Sequence, residues 1–164
     1  MDASIDQDLA QIAFQEEQLQ FDSFSAETAW QLGTLLKDAV EKRGKAVAID
    51  IQLIGQPLFF YAMPGTTPDN IDWVRRKRNT VQHFQRSSYA LGLDLKQKQT
   101  TLQEKAGFAV RDYATHGGCF PIRLLGTFIG TITISGLPQR EDHSVIVEVL
   151  ARWLNRPLSE LALR

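Results

Sequence analysis

Apolar side chains recur along this chain with two different periods, and the switches between them outline the fold. Over residues 5 to about 20, Ile5, Leu9, Ile12 and Leu19 return at helical spacing with acidic residues between them, which predicts an amphipathic helix. Phe21-Asp22-Ser23-Phe24 breaks the pattern. Ser25 is a good N-cap and Glu27 a favourable first-turn charge for a second helix. Its stripe is Ala26, Ala29, Trp30, Gly33, Leu36 and Val40, and Gly44 follows its end near Arg43. The period then becomes two. Val47, Ile49, Ile51 and Leu53 alternate with Ala48, Asp50 and Gln52, Gly55-Gln56 turns, and Leu58 to Met63 returns as a second strand. A third helix starts at Asp69 or Asn70 and runs to about Arg86. Residues 93–107 are polar and ambiguous, and residues 108–115 fit a strand or a helical turn. Phe120 to Leu125 and Thr127 to Ser135 form a second hairpin around Gly126. After Pro138, Val145, Ile146, Val149, Leu150, Trp153 and Leu154 give the buried stripe of a last helix, stopped by Pro157.

Hairpins rather than β-α-β crossovers predict an antiparallel sheet flanked by helices. The expected class is α+β, in the order α-α-β-β-α-β-β-α, as three α/β/α layers. Residues 1–24 are expected as an acidic helical arm and residues 25–164 as a single domain.

Composition changes this picture in one respect. The 164 residues have an ordinary hydrophobic content of 43% and a net charge of −1. That total argues against a nucleic-acid partner. It conceals a division, however. Residues 1–36 hold seven carboxylates and no Lys, Arg or His, so the rest of the chain is basic. A lone cysteine excludes an intramolecular disulfide framework and a Cys-rich zinc site. With no long apolar stretch and no signal-like N-terminus, the expectation is a cytoplasmic protein without membrane attachment.

Candidate chemistry gathers in two places. The third helix carries Arg75-Arg76-Lys77-Arg78. Trp73, Lys77, Thr80 and Phe84 fall on one apolar stripe, whereas Arg75, Arg78 and Asn79 lie on a solvent-leaning face. The plain reading is a solvated basic face with Lys77 extending its amine past the core edge. The functional reading is an anion site, because Arg forks suit carboxylate and phosphate. A third reading docks the acidic first helix, of this or a neighbouring subunit, there. The second place is His116-Gly117-Gly118-Cys119 with Gly136, Asp142 and His143. A turn centred on Gly126 brings His116 opposite Gly136, beside the first N–H groups of the last helix. His116, Gly117, Gly118, Asp142 and His143 are therefore ligand-binding candidates together with Arg75, Arg78 and Asn79. Cys119 reads as a buried, inert thiol. The three histidines show no metal-ligand spacing.

These residues carry a resemblance. Gly117-Gly118-Cys119-Phe120-Pro121-Ile122, Gly126 and Ile129 through Gly136, with Asp142, resemble the GlcG/HbpS-like proteins, the haem-degrading-domain family. Asp72 through Val81, Ser87-Ser88, Ser135-Gly136-Leu137-Pro138 and Glu141-Asp142-His143 look like one small cytosolic branch of it. The resemblance spans roughly residues 25 to 155. It implies an antiparallel sheet with helices on both faces, a homo-oligomer and, for some members, haem as cofactor.

Three functions follow as expectations. The first is a binding module for a haem-like or small anionic ligand. The second is an interaction or assembly module that uses the acidic helix. The third is an enzyme on a small carboxylate, with His116 or His143 as general acid or base. The third ranks last because no catalytic arrangement is complete.

Overall fold

Both hairpins form, and they share one sheet. The computed structural model describes residues 3–164. Among these, the chain runs α1 (Ala3–Gln18), α2 (Ala26–Glu41), β1 (Ala48–Leu53), β2 (Gln56–Ala62), α3 (Pro68–Phe84), α4 (Ser88–Gln97), α5 (Leu102–Ala106), β3 (Cys119–Leu124), β4 (Thr127–Ser135), α6 (Gln139–Trp153) and α7 (Leu158–Leu161). The sheet order is β2-β1-β4-β3, with every neighbour antiparallel. The fold is α+β.

Register decides what each face carries. Asp50 pairs with Thr133, and Thr133 with Cys119; one step along, Ile51 pairs with Ile132 and Ile132 with Phe120. Successive rows point to opposite faces. One face is therefore Ile49, Ile51, Phe120, Ile122, Ile132 and Ile134, all fully buried with Leu32, Leu36 and Val40 of α2 and Ile146 and Leu150 of α6. Burying each such side chain contributes roughly 1.5–3 kcal/mol. The other face presents Asp50, Cys119, Thr131, Thr133 and Ser135, also buried, and α3 crosses it.

Local signals explain the helix starts. The Ser25 hydroxyl accepts from Thr28 N at 3.2 Å, and Thr28 Oγ1 accepts from Ser25 N at 3.1 Å. This reciprocal box fixes the first turn of α2. The ambiguous stretch resolves into α4 and the short α5. In α4, Ser88, Tyr89, Ala90, Leu91, Leu93 and Leu95 are all buried, so it has no broad polar face and no helical period to read. Residues 108–115 form no strand but carry one helical turn, in which the Ala109 carbonyl accepts from Asp112 N at 3.0 Å and Tyr113 N at 3.1 Å. The first helix packs into the domain: Ile5 and Ile12 cluster with Tyr89, Ala90 and Leu93 of α4. Asp8 pairs with Arg140, and Glu16 with Arg123 at 3.6 Å. Within the chain the acidic helix thus meets α4, α6 and the β3 edge instead of the basic helix.

Candidate functional site

Successive residues of α3 reach to opposite sides of the polar sheet face. Lys77 Nζ donates to Asp142 Oδ2 at 3.0 Å and to the Ile134 carbonyl at 3.1 Å. Arg78 Nη1 donates to Asp50 Oδ2 at 3.1 Å. Lys77 is 3% exposed, which corrects the expectation that its amine extends into solvent. The stripe does point Lys77 at the sheet, but the sheet offers it a carboxylate and a carbonyl. A buried charge without such partners would cost several kcal/mol.

Gly118 makes room for this amine. Its φ is +129°, and a Cβ there would stand 2.7 Å from Lys77 Nζ and 2.5 Å from the Ile134 oxygen. The glycine turn read from the sequence thus permits the close approach of β3, β4 and α3. Asp142 also accepts from Leu137 N at 3.1 Å. Burial pushes the Asp142 carboxyl up to about 6, against the opposing pull of Lys77 and of the Leu137 and Gly136 N–H groups.

Above this pair opens a cleft of about 280 Å³ between the start of α3 and the β4–α6 junction. Asn70, Trp73, His116 and Gln139 stand around it. His116 is exposed and meets the Trp73 ring edge-on at 4.8 Å, while the Arg76 guanidinium lies 4.3 Å from the Trp73 ring centroid. Partial burial, then the charges of Lys77 and Arg76, hold His116 below its usual range. Its ring is therefore mainly neutral at pH 7 and can both donate and accept.

The two amides have a defined sense. Asn70 Oδ1 accepts from Thr67 N at 2.9 Å, and Gln139 Oε1 accepts from Gly117 N at 3.2 Å. Each carbonyl is committed, which leaves each NH₂ without a partner among the described residues. The cleft thus combines unmet donors with a neutral imidazole, near the N-terminal ends of two long helices.

The expected site residues separate into four groups. His116, Gly117, Gly118 and Asp142 come together at this cleft. His143, one residue on, is fully buried: its Nε2 stands 2.7 Å from Gln15 Oε1, and Tyr89 and Phe120 flank the ring. It lies outside the cleft with His116, and burial lowers it to about 3. Arg75 and Asn79 hold the 108–115 loop: Arg75 donates to Asp112 at 2.9 Å and to the Arg111 carbonyl at 3.0 Å, and Asn79 to the Asp112 carbonyl at 2.9 Å. Arg78 belongs to a different cleft, beside Asp50. Sequence reasoning missed Asn70 and Gln139. Asn70 could have been found as the fourth residue of Thr67-Pro68-Asp69-Asn70, a capping-box spacing; Gln139 carries no such signal.

Other chemistry is limited. Burial pushes the Cys119 thiol up to about 12, and Thr133 Oγ1 lies 3.0 Å from its sulfur, so it is a poor nucleophile. Among the described residues, no group of three or more His, Cys, Asp or Glu could hold a metal ion. Nor is any of their helices long and apolar enough to cross a membrane.

Comparison with known proteins agrees with this architecture. The chain is 56% identical over 161 residues to a UPF0303 protein of Azotobacter vinelandii, covering 98% of this chain and 97% of that one. A UPF0303 protein of Serratia proteamaculans is 56% identical over 156 residues, covering 94% and 97%. Among solved structures, the Ybr137w protein superposes with a TM-score of 0.82 at 33% identity, over 90% of this chain and 87% of that one. HbpS gives 0.64 at 20% identity, over 82% and 92%. A PduOC:heme complex gives 0.66 at 19%, over 79% and 94%. The model of the family described as haem degrading protein HbpS-like matches residues 24–151, and the chain belongs to that family.

Proposed function

We propose that this chain is a binding module for a small polar molecule bearing a carboxylate, held in the cleft between α3 and the β4–α6 junction. The observation that carries this reading is the pair of oriented amides. Asn70 and Gln139 each present an unmet NH₂ beside His116, above a fixed Lys77–Asp142 pair. Such a donor set complements carboxylate oxygens. The pair at the floor ties α3 to β4 and α6, which reduces the ordering needed on binding.

Haem fits the cavities at His116 poorly. His116 borders two cavities. One is the polar cleft of about 280 Å³. The other, of about 290 Å³, is walled by Leu95, Leu102, Phe108, Val110 and Ala114. Both lie at the bottom of the roughly 300–1,000 Å³ range of ligand sites, too small for a macrocycle within one chain. The haem of the PduOC complex therefore gives no ligand assignment for these residues.

Titration calorimetry of the full chain with acetate, lactate and succinate, and with their amides, tests the reading. The expectation is saturable binding of at least one acid and at least tenfold weaker binding of its amide. His116→Ala should weaken the acid while leaving the melting temperature unchanged, and Gln139→Ala should weaken it as well, with some loss of stability because the Gly117 N–H loses its acceptor. Absence of any acid binding with Kd below about 1 mM, roughly −4.1 kcal/mol, would overturn it. So would a haemin Soret shift that disappears in His116→Ala.

Proton transfer is a second reading, favoured by Asp142 lying near neutrality in the same cleft. Deuterium exchange at the α-carbon of the bound acid in D₂O, lost in Asp142→Asn, would support it. A bound acid that keeps its α-hydrogen would exclude it.

A further inference from the structure

The other side of α3 holds a second cleft, of about 440 Å³, lined by β1, β2 and the first turns of α3. Its character differs from that of the first. Pro57, Phe60, Pro68, Ile71 and Val74 give it apolar walls, Arg78 and Asp50 give it a charged floor, and the Asp72–Arg75 ion pair also lines it. Phe60 is 49% exposed and Ile71 42%. Two large apolar side chains thus stand in water on facing elements, and a bound apolar body would remove them from it.

The guanidinium is pre-positioned. Asp50 is buried and accepts from Gln52 Nε2 at 3.1 Å through Oδ1 and from Arg78 Nη1 at 3.1 Å through Oδ2. Arg78 Nε and Nη2 have no partner among the described residues, and its side chain is 20% exposed. Neighbouring Arg75 differs: Asp72, Asp112 and the Arg111 carbonyl engage all three of its nitrogens. Arg78 thus keeps two adjacent nitrogens, Nε and Nη2, wholly unpartnered among the described residues, in the fork geometry that matches a carboxylate.

We infer that this cleft is a second, independent ligand site, for a small carboxylate with an aromatic or branched apolar body. The acid group sits on the free nitrogens of Arg78. The apolar body lies between Phe60 and Ile71. Asp50 keeps the guanidinium in place, and the positive charge of Arg78 disfavours amines. The first cleft takes a compact polar acid; this one requires the apolar body as well.

The test is titration calorimetry of the full chain with phenylacetate, phenylacetamide and acetate as probes. Phenylacetate should saturate a site that phenylacetamide fills at least tenfold more weakly and that acetate does not block. Phe60→Ala and Ile71→Ser, both at exposed positions, should each weaken phenylacetate at least tenfold with the melting temperature unchanged. Arg78→Lys keeps a cation for Asp50 but removes the fork, and should weaken phenylacetate similarly. His116→Ala, in the other cleft, should leave phenylacetate binding as it is, which separates this site from the first. The inference is overturned if phenylacetate does not saturate, if Phe60→Ala and Ile71→Ser bind it like the parent, or if His116→Ala abolishes it.

Discussion

On β4, Ile132 and Ile134 point beneath α2 and α6, whereas Thr131, Thr133 and Ser135 point beneath α3. The same alternation holds on β1, with Ile49 and Ile51 against Asp50. The two layers are built from the same strands, yet the strands send only apolar side chains into one, whereas the other is held by ion pairs. An apolar layer is tolerant of detail and contributes most of the stability. A charged layer is positioned exactly where its partners are, and it opens at both flanks of α3 into clefts. Packing and recognition are therefore divided between the faces of one sheet.

Four perturbations should break or sharpen that contrast. Phe120→Ala removes a fully buried ring from the apolar face. The expected loss is about 3–5 kcal/mol, read by chemical denaturation, with a reduced melting temperature. Lys77→Met acts on the polar face by leaving Asp142 buried without its partner. A loss at the lower end of ~3–5 kcal/mol is expected, and Lys77→Met with Asp142→Leu should recover most of it. If the double variant is no more stable than the single, the pair is not what holds α3 there.

The third perturbation is pH. His143 is held neutral by burial, at about 3 against 6.5 in the unfolded chain. Between these values the unfolded state binds the extra proton, so this group's stability is complete above pH 6.5 and declines as pH falls toward 3. Asp142, Asp50 and Glu16, all raised by burial, act in the opposite sense and favour the folded state on the acid side. The comparison is therefore best made between variants. Wild type should lose stability relative to His143→Met by up to ~1.4 kcal/mol per pH unit below 6.5. A pH-independent difference would contradict this assignment. The smallest effect on stability is expected from His116→Ala, within ~0.5 kcal/mol of wild type because the ring is exposed, although its ligand affinity should fall at least tenfold.

Much of the fold was legible because local patterns agree with it. The alternation in 47–53 and 127–135 marks two strands, and Ser25 marks a helix start. The turn centred on Gly126 correctly brings Gly118 beside Ile134, whose N–H reaches the Gly118 carbonyl at 2.8 Å. What failed depended on partners distant in sequence. The stripe of α3 directs Lys77 toward the sheet, but Asp142 lies 65 residues away, and no period reports it. Adjacency groups His143 with Asp142, yet successive helical residues diverge by about 100°. One faces α3 and the other faces α1. Arg75 and Asn79 do lie off the apolar stripe, where the loop over residues 108–115, itself patternless, covers them.

The most direct test of a recognition layer beneath α3 is an amide-resolved NMR titration of the full chain with the tightest-binding small carboxylate. The account predicts shifts concentrated at Asn70, Gly117, Gly136, Leu137 and Gln139, nearly silent α2 and apolar-face residues, and loss of the response in His116→Ala. Shifts spread over α2 and α6, or a response unchanged in His116→Ala, would contradict it.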